Sequence, residues 1–330
     1  MTSLAPTLQS FFTDRLMRQR HASPNTVAAY RDAFRLLFAY LADATGKGPS
    51  MLDFNDIDAV AIGGFLHHLE AERGNSVRTR NARLSAIHSF FGFAALHHPE
   101  HADLIQRVLA LPEKRFTTEV VSYLTRREVD ALLASPDRTT WTGQRDHALM
   151  VLAVQTGLRV SELASLRSED VVVGSGAHVR CYGKGRKERC TPLTKDTDQV
   201  LRVWMRTLHG RPQDPLFPSR GTNRHLTRSA IWRLIVKHAA VAADGCPSLA
   251  GKHPTPHTLR HTCAMTLLES GVDLATIGLW LGHESLQSTN AYLHADMALK
   301  ERALARTTPT KAKPGRYRPT DKLLAFLQGL

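Results

Sequence analysis

The stretch TPHTLRHTCAMTLLESG, residues 255–271, places cationic side chains at the start of a predicted helix. Thr255 is a good N-cap residue, and Pro256 suits the first helical position. His257 and Arg260 then lie one turn apart, beside backbone N–H groups that attract an anion, so we expect this helix end to hold a phosphate. His261 lies four residues after His257, a zinc-like spacing, but no HExxH glutamate or third ligand accompanies the pair.

Towards the C-terminus, the stretch WLGHESLQSTNAYLH, residues 280–294, predicts the end of one helix and the start of another. Gly282 suits a helix C-terminus, and residues 285–292 suit the next helix. His283 follows the glycine, and Tyr292 comes nine residues later. A phenol has an ordinary pKa of about 10, so Tyr292 becomes a useful nucleophile only where cations surround its target and a base takes its proton.

Towards the N-terminus, the stretch TGLRVSELASLR, residues 156–167, predicts a helix that ends at Gly157 and a new helix that contains Glu162. Arg159 lies on the short connector, where its guanidinium group offers a bidentate fork for phosphate oxygens that a lysine cannot reproduce. Each of these cations, taken alone, is also compatible with an ordinary solvated surface position.

A change of periodicity between Val171 and Leu193 predicts three antiparallel strands within an otherwise helical domain. The strands are expected at 171–173, 178–182 and 189–193, separated by glycine-containing turns. Lys184 stands in the second turn between two glycines, where it can swing towards a substrate.

Helical periodicity over roughly the first hundred residues predicts an all-helical N-terminal domain. Its fourth helix carries Arg78, Arg80 and Arg83 beside Asn81, which we interpret as a phosphate-facing surface; a merely solvated basic face is the alternative. The predicted limits are 1–111 for this domain, 112–122 for a linker, 123–308 for a second domain and 309–330 for a basic tail with a short apolar end.

The overall composition points to a polyanionic partner. The 330 residues carry a formal net charge of +13, and a surplus of Lys and Arg favours phosphates by releasing their counterions. The four cysteines form no CxxC pair, so neither a zinc ribbon nor a disulfide framework is indicated. No apolar stretch reaches the length of a membrane span, and the first residues do not have a signal-peptide pattern, so we expect a cytoplasmic protein.

Taken together and in this order, the candidate residues resemble the catalytic set of the tyrosine recombinases, also called phage integrases. The stretches TGLRVSELASLR, YGKGRKERCTPL, PHTLRHTCAMTLLESG and WLGHESLQSTNAYLH are similar to the catalytic domain of that family, and SPNTVAAYRDAFRLLFAYL and RTRNARLSAIHSFF resemble its core-binding domain. The resemblance implies a mainly α fold with a small three-stranded antiparallel sheet. A helical core-binding domain and a mixed α/β catalytic domain would together form a C-shaped clamp on double-stranded DNA.

The resemblance also implies a role for each candidate. Tyr292 would attack the scissile phosphate and form a 3′-phosphotyrosyl link without a metal, nucleotide or other cofactor. The other members of the catalytic set would stabilise the transition state, protonate the leaving oxygen or accept the tyrosine proton, and a further acidic residue would support the first arginine. In the order of the chain these are Arg159, the supporting Glu162, Lys184 as general acid, His257 as proton acceptor, Arg260 and His283.

The biological task is left open at this stage. The family implies a homo- or hetero-tetramer on DNA, and a partner recombinase is one option. Integration or excision of a mobile element is our expectation, with Xer-type resolution of replicon dimers as the alternative. Relaxation of DNA by a type IB topoisomerase uses related chemistry, and a catalytically inactive DNA-binding module would have the same basic charge.

Overall fold

The computed structural model describes residues 4–116, 121–183 and 188–282, together with Thr289 and Tyr292. The chain divides into two compact units, Met1–Thr118 and Glu119–Leu330. Within the described ranges, no helix is both long enough and apolar enough to span a membrane.

The first unit is entirely helical in its described part. Its helices are α1 (Leu4–Ser10), which continues as a π-helical segment (Phe11–Gln19), α2 (Pro24–Thr45), α3 (Ala59–Ala71), α4 (Val77–Ala94) and α5 (Ala102–Leu109). Short polar side chains begin three of them: Ser23, Asp58 and Ser76 accept hydrogen bonds from the backbones of α2, α3 and α4. α2 ends at Gly46, whose positive φ of 71° suits a residue without a side chain.

A cluster of aromatic side chains forms the core of this unit. Phe11 packs edge-on against Phe90, with ring centroids 5.6 Å apart, and Phe90 packs in the same way against Phe34 at 5.3 Å. Phe54, Phe65 and Phe91 are also fully buried. Burial of so many large apolar side chains stabilises this helical unit.

Two residues of the predicted phosphate-facing surface on α4 are instead buried, which corrects that interpretation for them. Arg80 and Asn81 are 7% and 6% exposed. Arg80 Nη1 donates to the Pro112 carbonyl at 3.0 Å, and Asn81 Nδ2 donates to the Lys114 carbonyl at 2.8 Å. Their polar groups therefore hold residues 112–114 against α4, because a buried donor requires a partner within the protein.

In its described part, the second unit is helical with one small sheet. Its helices are α6 (Arg126–Ala134), α7 (Trp141–Thr156), α8 (Val160–Ser165), α9 (Lys195–Arg206), α10 (Arg228–Gly245), α11 (Pro256–Glu269) and α12 (Leu274–Leu281). Its strands are β1 (Val171–Val172), β2 (His178–Tyr182) and β3 (Glu188–Pro192). The predicted fold class, mainly helical with a small three-stranded antiparallel sheet, is confirmed.

The sheet has the order β1-β2-β3, and both pairs of strands are antiparallel. Val171 pairs with Val179, and Arg180 pairs with Cys190. Val179, Cys181 and Thr191 are buried, so one face of the sheet packs on the core while the other meets solvent. This alternation directs the side chain of Arg189, two residues before Thr191, towards the interior.

The start of α6 is fixed by a buried carboxylate. Thr125 and Glu128 form the predicted capping box, and Glu128 Oε2 accepts a hydrogen bond from the Thr125 amide at 2.7 Å. Ser248 and the ammonium group of Lys252 also donate to this carboxylate, at 2.7 and 2.8 Å. Burial alone would raise the pKa of Glu128, but these hydrogen bonds outweigh it and lower the pKa to about 2.

Candidate active site

The N-terminus of α11 has the predicted construction. The Thr255 side chain accepts a hydrogen bond from the Thr258 amide at 3.2 Å, and Pro256 is the first helical residue. His257 is exposed, whereas Arg260, one turn later, is only 3% exposed. A nearly buried guanidinium group needs hydrogen-bond acceptors close by, and α11 supplies none of them.

Arg260 finds its acceptors on two other elements. Its Nη1 donates to the Gly157 carbonyl at 2.6 Å, and its Nη2 donates to the Leu281 carbonyl at 2.7 Å. Gly157 ends α7 with a positive φ of 62°, and a Cβ atom there would lie 2.5 Å from Leu281 Cδ2. The glycine is therefore required both for the turn and for the close approach of α7, α11 and α12.

Arg159 lies at the N-cap position of α8, as the sequence predicts for the connector between α7 and α8. Its Nη1 donates to Glu162 Oε1 at 3.0 Å, and its Nη2 donates to the Gly282 carbonyl at 2.7 Å. Its side chain is 32% exposed, so a solvent-borne anion can reach it. Arg159 and Arg260 thus meet at the end of α12, although 101 positions separate them in the sequence.

Arg189 on β3 is a member of this cluster that the sequence interpretation missed. Its two terminal nitrogens donate to Glu162 Oε1 and Oε2 at 3.0 and 2.8 Å. Burial alone would raise the pKa of Glu162, but the hydrogen bonds and charge of Arg189, together with the hydrogen bonds of Arg159, lower it, so the carboxylate stays ionised. A signal was present in the sequence: an arginine at an inward-facing strand position requires a buried partner.

Tyr292 lies in a small apolar cluster with Cys263, Met265 and Leu281, and it is 2% exposed. Its hydroxyl is 3.2 Å from Nδ1 of His261, another residue for which the sequence interpretation predicted no role towards the tyrosine. His261 in turn meets His257 edge-on, with ring centroids 4.1 Å apart. The phenol therefore contacts His261, and His257 lies one ring further away.

The cluster has the excess positive charge that is typical of an anion-binding site. Burial raises the pKa of Tyr292, and the positive charge of Arg260 lowers it only in part. Burial and the nearby charge of Arg159 lower the pKa of Arg260 to about 10. Partial loss of solvent around its ring, with the charges of Arg260 and Arg159, also lowers the pKa of His257. Arg159 and Arg189 bind the carboxylate of Glu162, and Arg260 lies within its electrostatic influence, so these four groups carry an excess positive charge that a bound phosphate would offset.

Lys184 and His283 lie outside the described residues, so their predicted roles stay predictions. Arg78 is exposed, with its guanidinium carbon 5.4 Å from the Phe116 ring centroid, and Arg83 is half-buried; both stay predicted DNA-binding residues. In the part of the chain that the structure describes, no three His, Cys, Asp or Glu side chains cluster as a metal site would require.

Comparisons with known proteins agree with this geometry. Residues 122–298 match the phage integrase family, and residues 10–98 match the phage integrase N-terminal SAM-like domain. A protein of Sinorhizobium fredii named as an integrase/recombinase, y4rC, is 55% identical over 99% of this chain and 98% of its own length. The tyrosine recombinase XerD of Pseudomonas aeruginosa is 33% identical over 94% of this chain and 99% of its own length.

Among solved structures, the XerH site-specific recombinase in a post-cleavage complex with its palindromic difH substrate has a TM-score of 0.67. It is 21% identical, and the match covers 87% of this chain and 81% of that chain, which supports the fold. The family match and the length over which y4rC and XerD align lead to one conclusion. The chain belongs to the phage integrase family, the tyrosine recombinases.

Proposed function

We propose that this protein is a site-specific DNA recombinase that cleaves and rejoins double-stranded DNA through a covalent 3′-phosphotyrosyl intermediate. The observation that carries the proposal is the convergence of Arg159 and Arg260 at the end of α12, with the Tyr292 phenol within the electrostatic reach of Arg260. A tyrosine close to arginines suits attack on a phosphodiester, because the guanidinium groups can stabilise the charge that develops on the phosphate.

In the proposed step, the Tyr292 oxygen bonds to the scissile phosphorus as the bond from phosphorus to the 5′ oxygen breaks. The phosphate stays joined to the 3′ oxygen, and the 5′ oxygen leaves as a hydroxyl after it takes up a proton. Attack by a 5′ hydroxyl of a partner strand reverses the step. The phosphotyrosyl bond conserves the energy of the original ester, so rejoining of the strands needs no nucleotide cofactor.

Negative charge grows on the non-bridging oxygens in the transition state. Arg159 and Arg260 are suited to hold those oxygens because each can offer a planar pair of N–H donors. In our proposal His283 adds a third donor, and Lys184 protonates the departing 5′ oxygen. Each direct donor of this kind contributes on the order of 10²-fold or more to the rate.

The tyrosine proton needs an acceptor. The hydrogen bond between His261 and the Tyr292 hydroxyl makes His261 the nearest imidazole, and its edge contact with His257 adds a second one. We propose that this pair of histidines accepts the proton, with His257 as the exposed member. The lowered pKa of His257 supports this role, because it keeps the imidazole neutral and able to accept a proton.

Tyr292 must become accessible before it can attack. A side chain that is 2% exposed cannot reach a phosphate of duplex DNA, so the phenol has to leave its apolar cluster when DNA binds. In the unbound protein the apolar contacts with Met265 and Leu281 then keep the phenol protected, while Nδ1 of His261 lies within hydrogen-bonding distance of its hydroxyl.

We further propose that integration or excision of a mobile element is the biological task, carried out by a tetramer on DNA. The description of y4rC as an integrase/recombinase supports this task, and the alignment with XerD keeps resolution of replicon dimers as the alternative. The formal net charge of +13 supports binding to double-stranded DNA.

A nicked duplex tests the chemistry. DNA next to the protein's own coding region is first footprinted, and the protected fragment is then synthesised with a nick beside each candidate scissile phosphate. We expect a covalent protein–DNA adduct in EDTA with the wild-type chain and no adduct with Tyr292→Phe. An absolute requirement for magnesium, or an adduct that persists in Tyr292→Phe, would overturn the proposal.

A further inference from the structure

The buried carboxylate of Glu162 has more donors than one arginine can provide. It accepts hydrogen bonds from the Arg159 amide at 2.7 Å, from Arg159 Nη1 at 3.0 Å, and from both terminal nitrogens of Arg189. Glu162 and Arg189 have side chains that are 4% and 12% exposed, whereas Arg159 is 32% exposed. Arg189 is thus the inner partner of the carboxylate, and Arg159 is the outer one.

The charges of these three groups define what Arg189 does. If Arg159 and Glu162 were alone, they would form a neutral pair and would attract a phosphate weakly. With Arg189 present, the three groups carry one net positive charge. Burial would lower the pKa of Arg189, but the hydrogen bonds and charge of Glu162 raise it, so Arg189 stays charged. Arg189 therefore neutralises Glu162 and leaves the charge of Arg159 for a ligand.

Arg189 also touches the turn that leads to His283. Gly282 ends α12 with a positive φ of 65°, and a Cβ atom at this position would lie 2.7 Å from Arg189 Nη1. The carbonyl of the same glycine accepts the hydrogen bond from Arg159 Nη2. Arg189 is consequently in contact with both partners that orient the Arg159 guanidinium group, namely Glu162 and Gly282.

We infer that Arg189 is a positioning residue for DNA cleavage. It neutralises the negative charge of Glu162 and holds this carboxylate in place. Glu162 can then orient the Arg159 guanidinium group without cancelling the positive charge that Arg159 offers to the scissile phosphate. Arg189 acts through Arg159, because both of its terminal nitrogens are bonded to Glu162. This inference rests on the proposed cleavage of DNA by Tyr292.

The test measures the single-turnover rate of covalent capture on the nicked duplex at saturating DNA. We expect Arg189→Gln to lower the rate by about 10- to 100-fold, because a small misplacement of a catalytic group has effects of this size. Adding Glu162→Gln to Arg189→Gln restores the net positive charge of the cluster, so the double variant should react at least about fivefold faster than Arg189→Gln alone. Arg189→Lys should also recover part of the rate.

A second substrate separates charge compensation from a merely structural role. A duplex with a methylphosphonate at the scissile position is neutral in the ground state and carries one negative charge fewer in the transition state, so the loss caused by Arg189→Gln should shrink on it. The control is Arg202→Gln, because Arg202 forms an ion pair of the same 2.8 Å length with Asp198 but is 43% exposed and lies on α9, away from Glu162. This control should stay within about twofold of the wild-type rate, as expected for a surface pair.

The outcomes are distinct. The inference is overturned if Arg189→Gln reacts at the wild-type rate, if the double variant and Arg189→Lys are both as slow as Arg189→Gln, or if the loss is equal on both substrates. A wild-type chain that forms no covalent adduct would instead contradict the proposed function itself. Thermal melting of each variant identifies unfolding, and the double variant and Arg189→Lys then decide the question.

Discussion

The guanidinium groups of Arg159 and Arg260 donate to consecutive backbone carbonyls, those of Gly282 and Leu281, each at 2.7 Å. Arg159 lies on the connector before α8 and Arg260 lies on α11, so the end of α12 brings them together. The same turn precedes His283, and the apolar cluster beside it contains Tyr292. One helix end therefore organises the residues of the proposed chemistry.

The first prediction concerns the geometry of these two arginines. Arg159→Lys and Arg260→Lys keep the positive charge but lose the planar fork, so each should lower the rate of covalent capture by about 10²-fold. Arg126→Lys is the control, because Arg126 is an exposed arginine paired with Asp130. A lysine variant that reacts within about threefold of the wild type would show that charge alone is sufficient.

The second prediction concerns the histidine pair. Since the pKa of His257 is lowered, its neutral form persists below the ordinary value of 6.5, and the acid limb of the pH–rate profile should lie below that pH. Arg159→Gln removes one cause of the shift, so the His257 pKa should rise. NMR titration of His257 in both proteins measures this directly; a wild-type value above 6.5 would contradict the prediction.

The rate of covalent capture can compare the contributions of His261 and His257. His261→Gln removes the partner of the Tyr292 hydroxyl and should slow capture on the nicked duplex by about 10²-fold, the usual scale for a proton-transfer group. His257→Gln should slow it less if His261 takes the proton first. A His261→Gln variant with the wild-type rate would remove His261 from the proposed mechanism.

The third prediction concerns stability and pH. The pKa of Glu128 is lowered from 4.5 to about 2, so its carboxylate stabilises the folded state above about pH 4.5, and this contribution is lost as the pH falls towards 2. Glu128→Gln should therefore lower the free energy of unfolding by roughly 2 kcal/mol at pH 7 and by clearly less near pH 3. Urea denaturation at both pH values measures the difference, with the exposed Asp130→Asn as control. An equal loss at both pH values would contradict it.

The fourth prediction separates structural from DNA-binding residues on α4. Asn81 is buried and bonded to the Lys114 backbone, so Asn81→Ala should destabilise the first unit by about 1–2 kcal/mol without changing the salt dependence of DNA binding. Arg78 is exposed, so Arg78→Ala should reduce the slope of log affinity against log salt concentration by the amount expected for about one phosphate contact. Binding titrations at several salt concentrations test both variants. A reduced salt slope in Asn81→Ala, with no change in Arg78→Ala, would show that Asn81 contacts DNA.

Much of the catalytic unit could be predicted because its signals are local. Thr255 with Pro256 starts α11, Gly157 and Gly282 end two helices, and residues 178–182 form the central strand of the sheet, all as predicted. Each of these signals depends on backbone conformation or on neighbours within a few residues.

The long-range partners could not be predicted in the same way. Arg189 bonds with Glu162 across 27 positions, and His261 meets Tyr292 across 31, so only the packed structure shows these pairs. The prediction that Arg80 and Asn81 lie on the surface is wrong for a related reason. A basic run on a helix looks like a surface in the sequence, and the carbonyls that bury it are more than thirty residues away.

The central claim is that Tyr292 becomes joined to the 3′ side of a broken DNA strand, and mass spectrometry of the trapped adduct tests it most directly. Wild-type protein is captured on the nicked duplex in EDTA, digested with nuclease and trypsin, and its nucleotide-bearing peptide is sequenced. We predict a nucleotide 3′-phosphate on Tyr292 itself. A nucleotide on any other residue, or attachment through a 5′-phosphate, would contradict the proposed chemistry.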